Sequence, residues 1–278
     1  LSFPTTEQQQ ELQPASRPSD VPLLAQCRKL WRRRVPADTR ALIHWTIVNR
    51  RVVSEVVASL NPTLRSSRIT TGTQLVIDGF PRSGSTYARH AFLHGNGPGV
   101  PISSHRQSAR SIENAMRRGI PVIVLLRPPR AAIASFLHDE PGLQLDWAID
   151  TNRSFHHAIL PICHSILVAS FDEVTHDFGQ VIRRCNERYG TDFVPYEATP
   201  DAEAAVARSI DSDALRTFEF NELSRFAGRP MPARKATGDF QAQLDQRLMD
   251  KLDELEVLHD TILWKCRRAA REPSRSSR

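Results

Sequence analysis

The sequence predicts an α/β fold, a three-layer sandwich in which a central parallel sheet is flanked by helices. Three observations lead there. Pro121-Val-Ile-Val-Leu-Leu126 is apolar without alternation, as expected of a strand buried on both faces. Strand-like and helix-like stretches then alternate along the chain, the pattern of a doubly wound parallel sheet. Finally, Leu75-Val-Ile-Asp78 runs directly into a glycine-bearing loop that opens a helix. In such sheets ligands bind beyond the C-terminal ends of the strands.

Taken in order, residues 1–22 are rich in Ser/Thr, Pro and Gln and read as a flexible arm. Residues 23–66 form an N-terminal helical segment. Leu23, Leu24, Cys27, Leu30 and Trp31 recur at helical spacing, and Pro36 ends or kinks the first piece. A domain over 67–268 follows, and 269–278 is a basic, disordered tail. Within the domain, Thr73 to Asp78 is the first strand and Ser85 to His94 the helix after the loop. Gly95 to Gly99 is a turn cluster. Val100 to Ile102 is a short strand, and 103–108 a polar loop. Arg110 to Arg118 is a helix closed by Gly119. Pro128 and Pro129 suit the first positions of a helix that continues over Ala131 to His138. Ser165 to Ser170 is a fourth strand, and Asp177 to Tyr189 a helix ended by Gly190. Ala202 to Phe220 is mostly helical. Residues 226–240 are a Pro/Gly/Arg-rich loop, and Phe240 to Arg268 is a long amphipathic closing helix carrying Leu244, Leu248, Leu252, Leu255, Leu258 and Ile262.

Charge and cysteine content narrow the function classes. The net charge of +6 over 278 residues is concentrated at the two ends, in Arg28 to Arg34 and Arg267 to Arg278, and the body is slightly acidic. That argues against nucleic acid as a partner. The basic face at 28–34 predicts weak peripheral contact with anionic membranes. Cys27, Cys163, Cys185 and Cys266 are scattered, with no C-x-x-C pair and no zinc spacing. A reducing, cytoplasmic setting is therefore expected, with no metal. No apolar run reaches membrane-spanning length.

The loop carries the chemistry. Gly79-x4-Gly84-Ser85-Thr86 has the outline of a phosphate-binding loop, which aims backbone N–H groups and a helix N-terminus at an anion. The lysine that a triphosphate needs after the second glycine is Ser85 here, and the cation sits inside the loop as Arg82. A smaller anion with its reacting group beside Arg82 fits better. An ordinary turn rich in small residues would look similar, so the loop does not decide alone.

Pro81-Arg-Ser-Gly-Ser-Thr-Tyr87 resembles the 5′-phosphosulfate loop of sulfotransferases that use PAPS (3′-phosphoadenosine 5′-phosphosulfate), in its carbohydrate and tyrosylprotein version. Arg127-Pro-Pro-Arg-Ala-Ala-Ile-Ala-Ser135 resembles the 3′-phosphate motif of that family. Ala233-Arg-Lys-Ala-Thr-Gly-Asp-Phe240 is similar to the C-terminal nucleotide loop of its cytosolic members, with Ala236 in place of a glycine and Phe240 in place of tryptophan. Phe171-Asp-Glu-Val174 resembles the family's segment after its strand. The likeness runs from about Thr73 to Asp239. It implies a P-loop-like sulfotransferase domain that moves a sulfuryl group from PAPS to a hydroxyl or amine and releases PAP (3′-phosphoadenosine 5′-phosphate). The acceptor would be a small molecule, carbohydrate or lipid.

Residue by residue, the resemblance implies that Arg82, Ser83, Gly84, Ser85 and Thr86 hold the 5′ end. Arg127, Ser135, Arg234 and Lys235 would hold the 3′-phosphate. Arg82 would act on the leaving oxygen. His105, 22 residues before Arg127, matches the loop of the family's catalytic base. Its competitors are His90, His94, His138 and Glu113. Arg130 stands where the family is often basic. Loops near 103–112, 139–150 and 224–233 are expected to select the acceptor. Two other readings stay open: a small-molecule kinase on a degenerate loop, and a non-catalytic PAP-binding protein.

Overall fold

The computed structural model describes residues 34–36, 39, 43, 68–104, 106–140, 142–215 and 244–271. The chain divides into Leu1–Pro36 and Ala37–Arg278, and the fold below belongs to the second unit. The arm, the basic stretch 28–33, the 226–240 loop, and His105, Arg234 and Lys235 all lie outside the described residues.

Four strands form one parallel sheet. β1 (Leu75–Gly79) leads to α1 (Ser85–Asn96), β2 (Ile102–Ser104), α2 (Ala109–Arg117) and β3 (Val122–Leu126). Then come α3 (Pro129–Asp139), α4 (Leu145–Ile159), a 3-10 turn at Cys163–Ser165, and β4 (Leu167–Ser170). α5 (Phe171–His176), α6 (Phe178–Tyr189), α7 (Pro200–Leu215) and α8 (Gln246–Arg271) follow. The sheet order is β2-β1-β3-β4. Val76 pairs with Val122 and Ile77 with Ile123, while Leu75 pairs with Ile102 on the other side.

Both faces of the sheet are covered, which explains why its strands do not alternate. Leu75, Ile77, Ile123, Leu125, Leu167 and Ala169 point into one core with Phe92 of α1, Val181 of α6 and Val206 of α7. The intervening residues, Val76, Val122, Val124, Leu126 and Val168, point into the opposite core with Ile112 of α2, Phe155 of α4 and Ile262 of α8. A third cluster joins α3, α4 and α8 through Ile133, Ile149, Leu252 and Leu255. The three-layer sandwich follows from this two-sided burial.

Three local expectations change. β2 begins at Ile102, not Val100. Pro101 has no N–H to give to a ladder, and its carbonyl accepts from Gln74 N at 2.8 Å. Ser103 and Ser104 are therefore buried strand residues, and the expected polar loop starts after them. Secondly, 139–150 is a helix rather than a loop over its second half. Leu145, Ala148, Ile149, Asn152, Phe155 and Ile159 repeat at helical spacing and are buried on one side of α4. Thirdly, α8 continues past Arg268 to Arg271, into the stretch expected to be disordered. β1, β3, α1 and α6 fall close to where the sequence places them. α6 is capped by Asp177, whose side chain accepts from Gln180 N, and it closes at a left-handed Gly190 with φ 66°. Among the described residues no helix is long and apolar enough to cross a membrane.

The C-terminal end of β1 lies very close to β3. A Cβ on Gly79 would stand 2.5 Å from the Leu125 carbonyl oxygen, and neither backbone can yield inside a paired sheet. Gly79→Ala should lower stability by about 1–3 kcal/mol, as overpacking of a dense core does. Gly99→Ala, where a Cβ meets nothing within 4 Å, should leave it unchanged. Urea midpoints of the two variants check this; equal midpoints would contradict the close approach.

Candidate anion-binding site

The site grows out of the strand order. The order of strand addition reverses between β1 and β3, because β2 lies beyond one and β4 beyond the other. A crevice opens at such a switch point, outside the strand ends. Phe80 to Gly84 leave β1 there, and Arg127 leaves β3 beside them.

The loop is tightly curled. Ser83 N donates to the Phe80 carbonyl at 3.2 Å. Arg82 has φ 71° and Gly84 φ 90°, so two residues within three take the left-handed conformation. For arginine this costs about 1 kcal/mol or more, a strain that surrounding structure must hold in place. Gly84 is the N-cap of α1. It provides no side-chain cap, and no acid occupies the helix's first turn. The positive end of α1 is thus left for an outside anion. Among the described residues, Ser83 Oγ is buried without a hydrogen-bond partner, as suits a group that can bond a ligand atom. Ser85 is buried and Thr86 half-buried at the same helix start. These features fit a phosphate or sulfate group well.

Arg82 is the centre of the group. Its Nε donates to Ser135 Oγ at 3.0 Å, and its Nη1 lies 2.6 Å from Asp139 Oδ2. Arg127 Nη1 donates to the Arg82 carbonyl at 3.0 Å. The Arg127 guanidinium stacks on Phe171, 4.4 Å from the ring centroid. Phe171 also flanks Gly84, where an added Cβ would come within 3.4 Å of its ring. Burial, reinforced by the nearby charge of Arg82, lowers the Arg127 pKa. Arg82, Arg127 and Ser135 are thus one bonded group. The pairing differs from the expected division, since Ser135 is joined to Arg82 rather than set beside Arg127 alone.

Other sequence candidates face elsewhere. Arg130 is bound to Asp253 and lies 3.9 Å from Glu256 on α8, so it takes no part in this group. His90 Nδ1 lies 2.9 Å from Ser209 Oγ, and its Nε2 lies 3.5 Å from Asp213. The His94 ring sits edge-on to Tyr196. His90 thus packs on α7, and His94 faces Tyr196 in the segment before it. Among the described residues no cluster of three or more His, Cys, Asp or Glu could hold a metal ion.

No known protein-family profile matches the chain, and no curated protein is detectably similar in sequence. Among solved structures it is similar to mouse sulfotransferase SULT7A1 complexed with PAP. The TM-score is 0.41 and the identity 13%, over 68% of this chain and 85% of that one. Function has to be argued from the residues themselves.

Two acids in the site carry no motif. Asp139 is four residues after Ser135, so the two share a face of α3, and that spacing was the one available signal. Asp78 ends β1 and is fully buried. Its Oδ1 accepts from Gly79 N at 3.0 Å and Gln107 N at 2.9 Å, while Oδ2 has no partner. It thereby pins the segment after β2 to the loop. Burial pushes its carboxyl up to about 7, against the opposing pull of those N–H groups and Arg106. The folded state then keeps a proton that the unfolded chain releases. Stability should be full below about pH 4 and fall as pH rises towards about 7. Asp78→Asn keeps the Oδ1 acceptor and should flatten that fall. Urea midpoints from pH 4.5 to 8 check it; identical slopes in both proteins would contradict it.

Proposed function

We propose that this protein is a sulfotransferase that moves a sulfuryl group from PAPS to a hydroxyl or amine acceptor and releases PAP. One observation carries the reading: an uncapped helix N-terminus at Gly84 lies next to two bonded arginines, with the loop cation at Arg82 rather than after the second glycine. That arrangement suits a compact divalent group with its reacting end against a guanidinium. PAPS would supply the sulfuryl group. The N–H groups of residues 83–86, with the Ser85 and Thr86 hydroxyls, would hold the 5′-phosphate. Arg82 would neutralise charge on the oxygen that leaves sulfur, an electrostatic role in a largely positional catalysis. Arg127, Arg234 and Lys235 would bind the 3′-phosphate. Ser135 accepts from Arg82 and still has its own O–H to donate to that phosphate.

His105 would take the acceptor's proton. Its described sequence neighbours support the reading. Ser104 is the last residue of β2, beside Ile77, and Gln107 N is fixed on Asp78. Both flanking residues thus lie at the end of β1, where the loop begins. A kinase is less well served. It needs a cation on the outer phosphates and an acid for Mg²⁺, and the strand next to the loop is followed by Arg127. A PAP-binding protein without turnover shares the same site and differs only in activity. The acceptor is a small molecule, carbohydrate or lipid.

Calorimetry with PAP and AMP tests the nucleotide. Charged hydrogen bonds of about 1.5–3 kcal/mol each to the 3′-phosphate should give PAP at least a roughly hundredfold advantage; equal affinities would remove the reading. An assay with PAPS and EDTA against ATP and Mg²⁺ separates sulfuryl from phosphoryl transfer. Arg82→Ala should lower turnover by about 10²-fold, the usual cost of one preorganised donor, and Arg82→Lys should recover much of it. His105→Ala should abolish the acidic limb of the pH–rate profile while leaving PAP affinity unchanged. A variant that keeps both its rate and that limb would place the base elsewhere.

A further inference from the structure

Asp139 has no role in the reading above, and its position is electrostatically unfavourable. It is the last residue of α3, where the negative end of the helix dipole disfavours a carboxylate. Glu140 follows it directly, adding like charge. Its side chain is only 8% exposed, so little water screens it. Arg82, whose Nη1 is 2.6 Å away, offsets these costs, and the charge of Arg127 adds to it. Ser135, one turn earlier on the same helix, presents Arg82 to it through the 3.0 Å bond to Nε. Arg82 in turn is fixed in its left-handed conformation by Arg127 on its carbonyl. The guanidinium that should meet an incoming anion is thus already facing one supplied by the protein.

We propose that Asp139 is the built-in counter-anion of this site, which a phosphate or sulfate group must displace from Arg82 in order to bind. The inference rests on the sulfotransferase reading for the identity of the ligand. A carboxylate and a sulfuryl oxygen offer the same guanidinium the same kind of charge-assisted hydrogen bond. Arg82 therefore exchanges one for the other. Exchange keeps the half-buried Arg82 paired both before and after the anion arrives. It also weakens every anion that uses Arg82, because binding must break the internal pair first. For an enzyme this favours release of PAP, since Asp139 takes Arg82 back as the product leaves. Asp139 is a positioning residue in this scheme and touches the ligand only through Arg82.

The test turns on direction, because damage to the fold weakens binding whereas removal of a competitor strengthens it. Asp139→Asn should tighten both PAP and inorganic sulfate by about tenfold or more, the equivalent of one charged hydrogen bond. Asp139→Glu, which keeps the charge, should return affinities close to wild type. Asp139→Ser serves as a second neutral variant, and circular dichroism checks that each is folded. Unchanged or weaker PAP binding in folded neutral variants, with wild type binding PAP, overturns the proposal and leaves the sulfotransferase reading intact. If wild type does not bind PAP, that reading falls, and sulfate decides: tighter sulfate in the neutral variants supports the counter-anion, and unchanged sulfate removes it. Failure of both neutral variants to fold makes Asp139 a structural requirement and also removes it.

Discussion

The way Arg82 is held is the constraint on which the site depends. Three side chains grip it at different atoms: Arg127 after β3 takes its carbonyl, Ser135 its Nε and Asp139 its Nη1. These contacts maintain a backbone conformation that an arginine does not adopt unaided. They also tie the loop to β3 and α3 rather than to its own helix alone. Charge placement and backbone strain are therefore one feature, and neither would persist without the other.

The sheet supplies the rigidity this needs. Its four strands are buried on both faces, and the alternation of side chains between two cores fixes their register. Gly79 lets the end of β1 lie against β3, so the loop and Arg127 start side by side. Asp78 extends the same logic to the third segment of the crevice by binding Gln107 N. A buried acid with one oxygen unpartnered is an expensive fastener, and its place under the loop joins its stability cost to the geometry of the site.

Much of this was legible in the sequence, for identifiable reasons. Strand-length apolar runs such as 121–126 and 75–78 announce burial on two faces, and the glycine, proline and Asx signals at Gly190, Pro129 and Asp177 mark helix ends correctly. The loop and Arg127 were found because phosphate chemistry demands small residues and guanidinium groups at strand ends. α4 was missed although Leu145, Ile149, Asn152 and Phe155 carry its period, because polar residues between them obscure the stripe. β2 slipped by two residues because Ser103 and Ser104 look like loop residues, and only pairing with β1 makes them strand. Asp78 and Asp139 were invisible in another way. Nothing local distinguishes a carboxylate that will be buried from a solvated one, and their partners are 29 and 57 residues away in sequence, at Gln107 and Arg82.

The central claim is that the crevice between β1 and β3 receives the phosphate groups of a 3′,5′-bisphosphorylated nucleotide. The most direct measurement is an amide-resolved NMR titration of the full chain with PAP. The account predicts the largest shift changes at Ser83, Gly84, Ser85 and Thr86, with a second set at Arg127 and Ser135 and a changed Arg82 Nε–H resonance as its partner is replaced. Saturable shifts confined to other elements, or no shifts at the loop amides at saturating PAP, would contradict it.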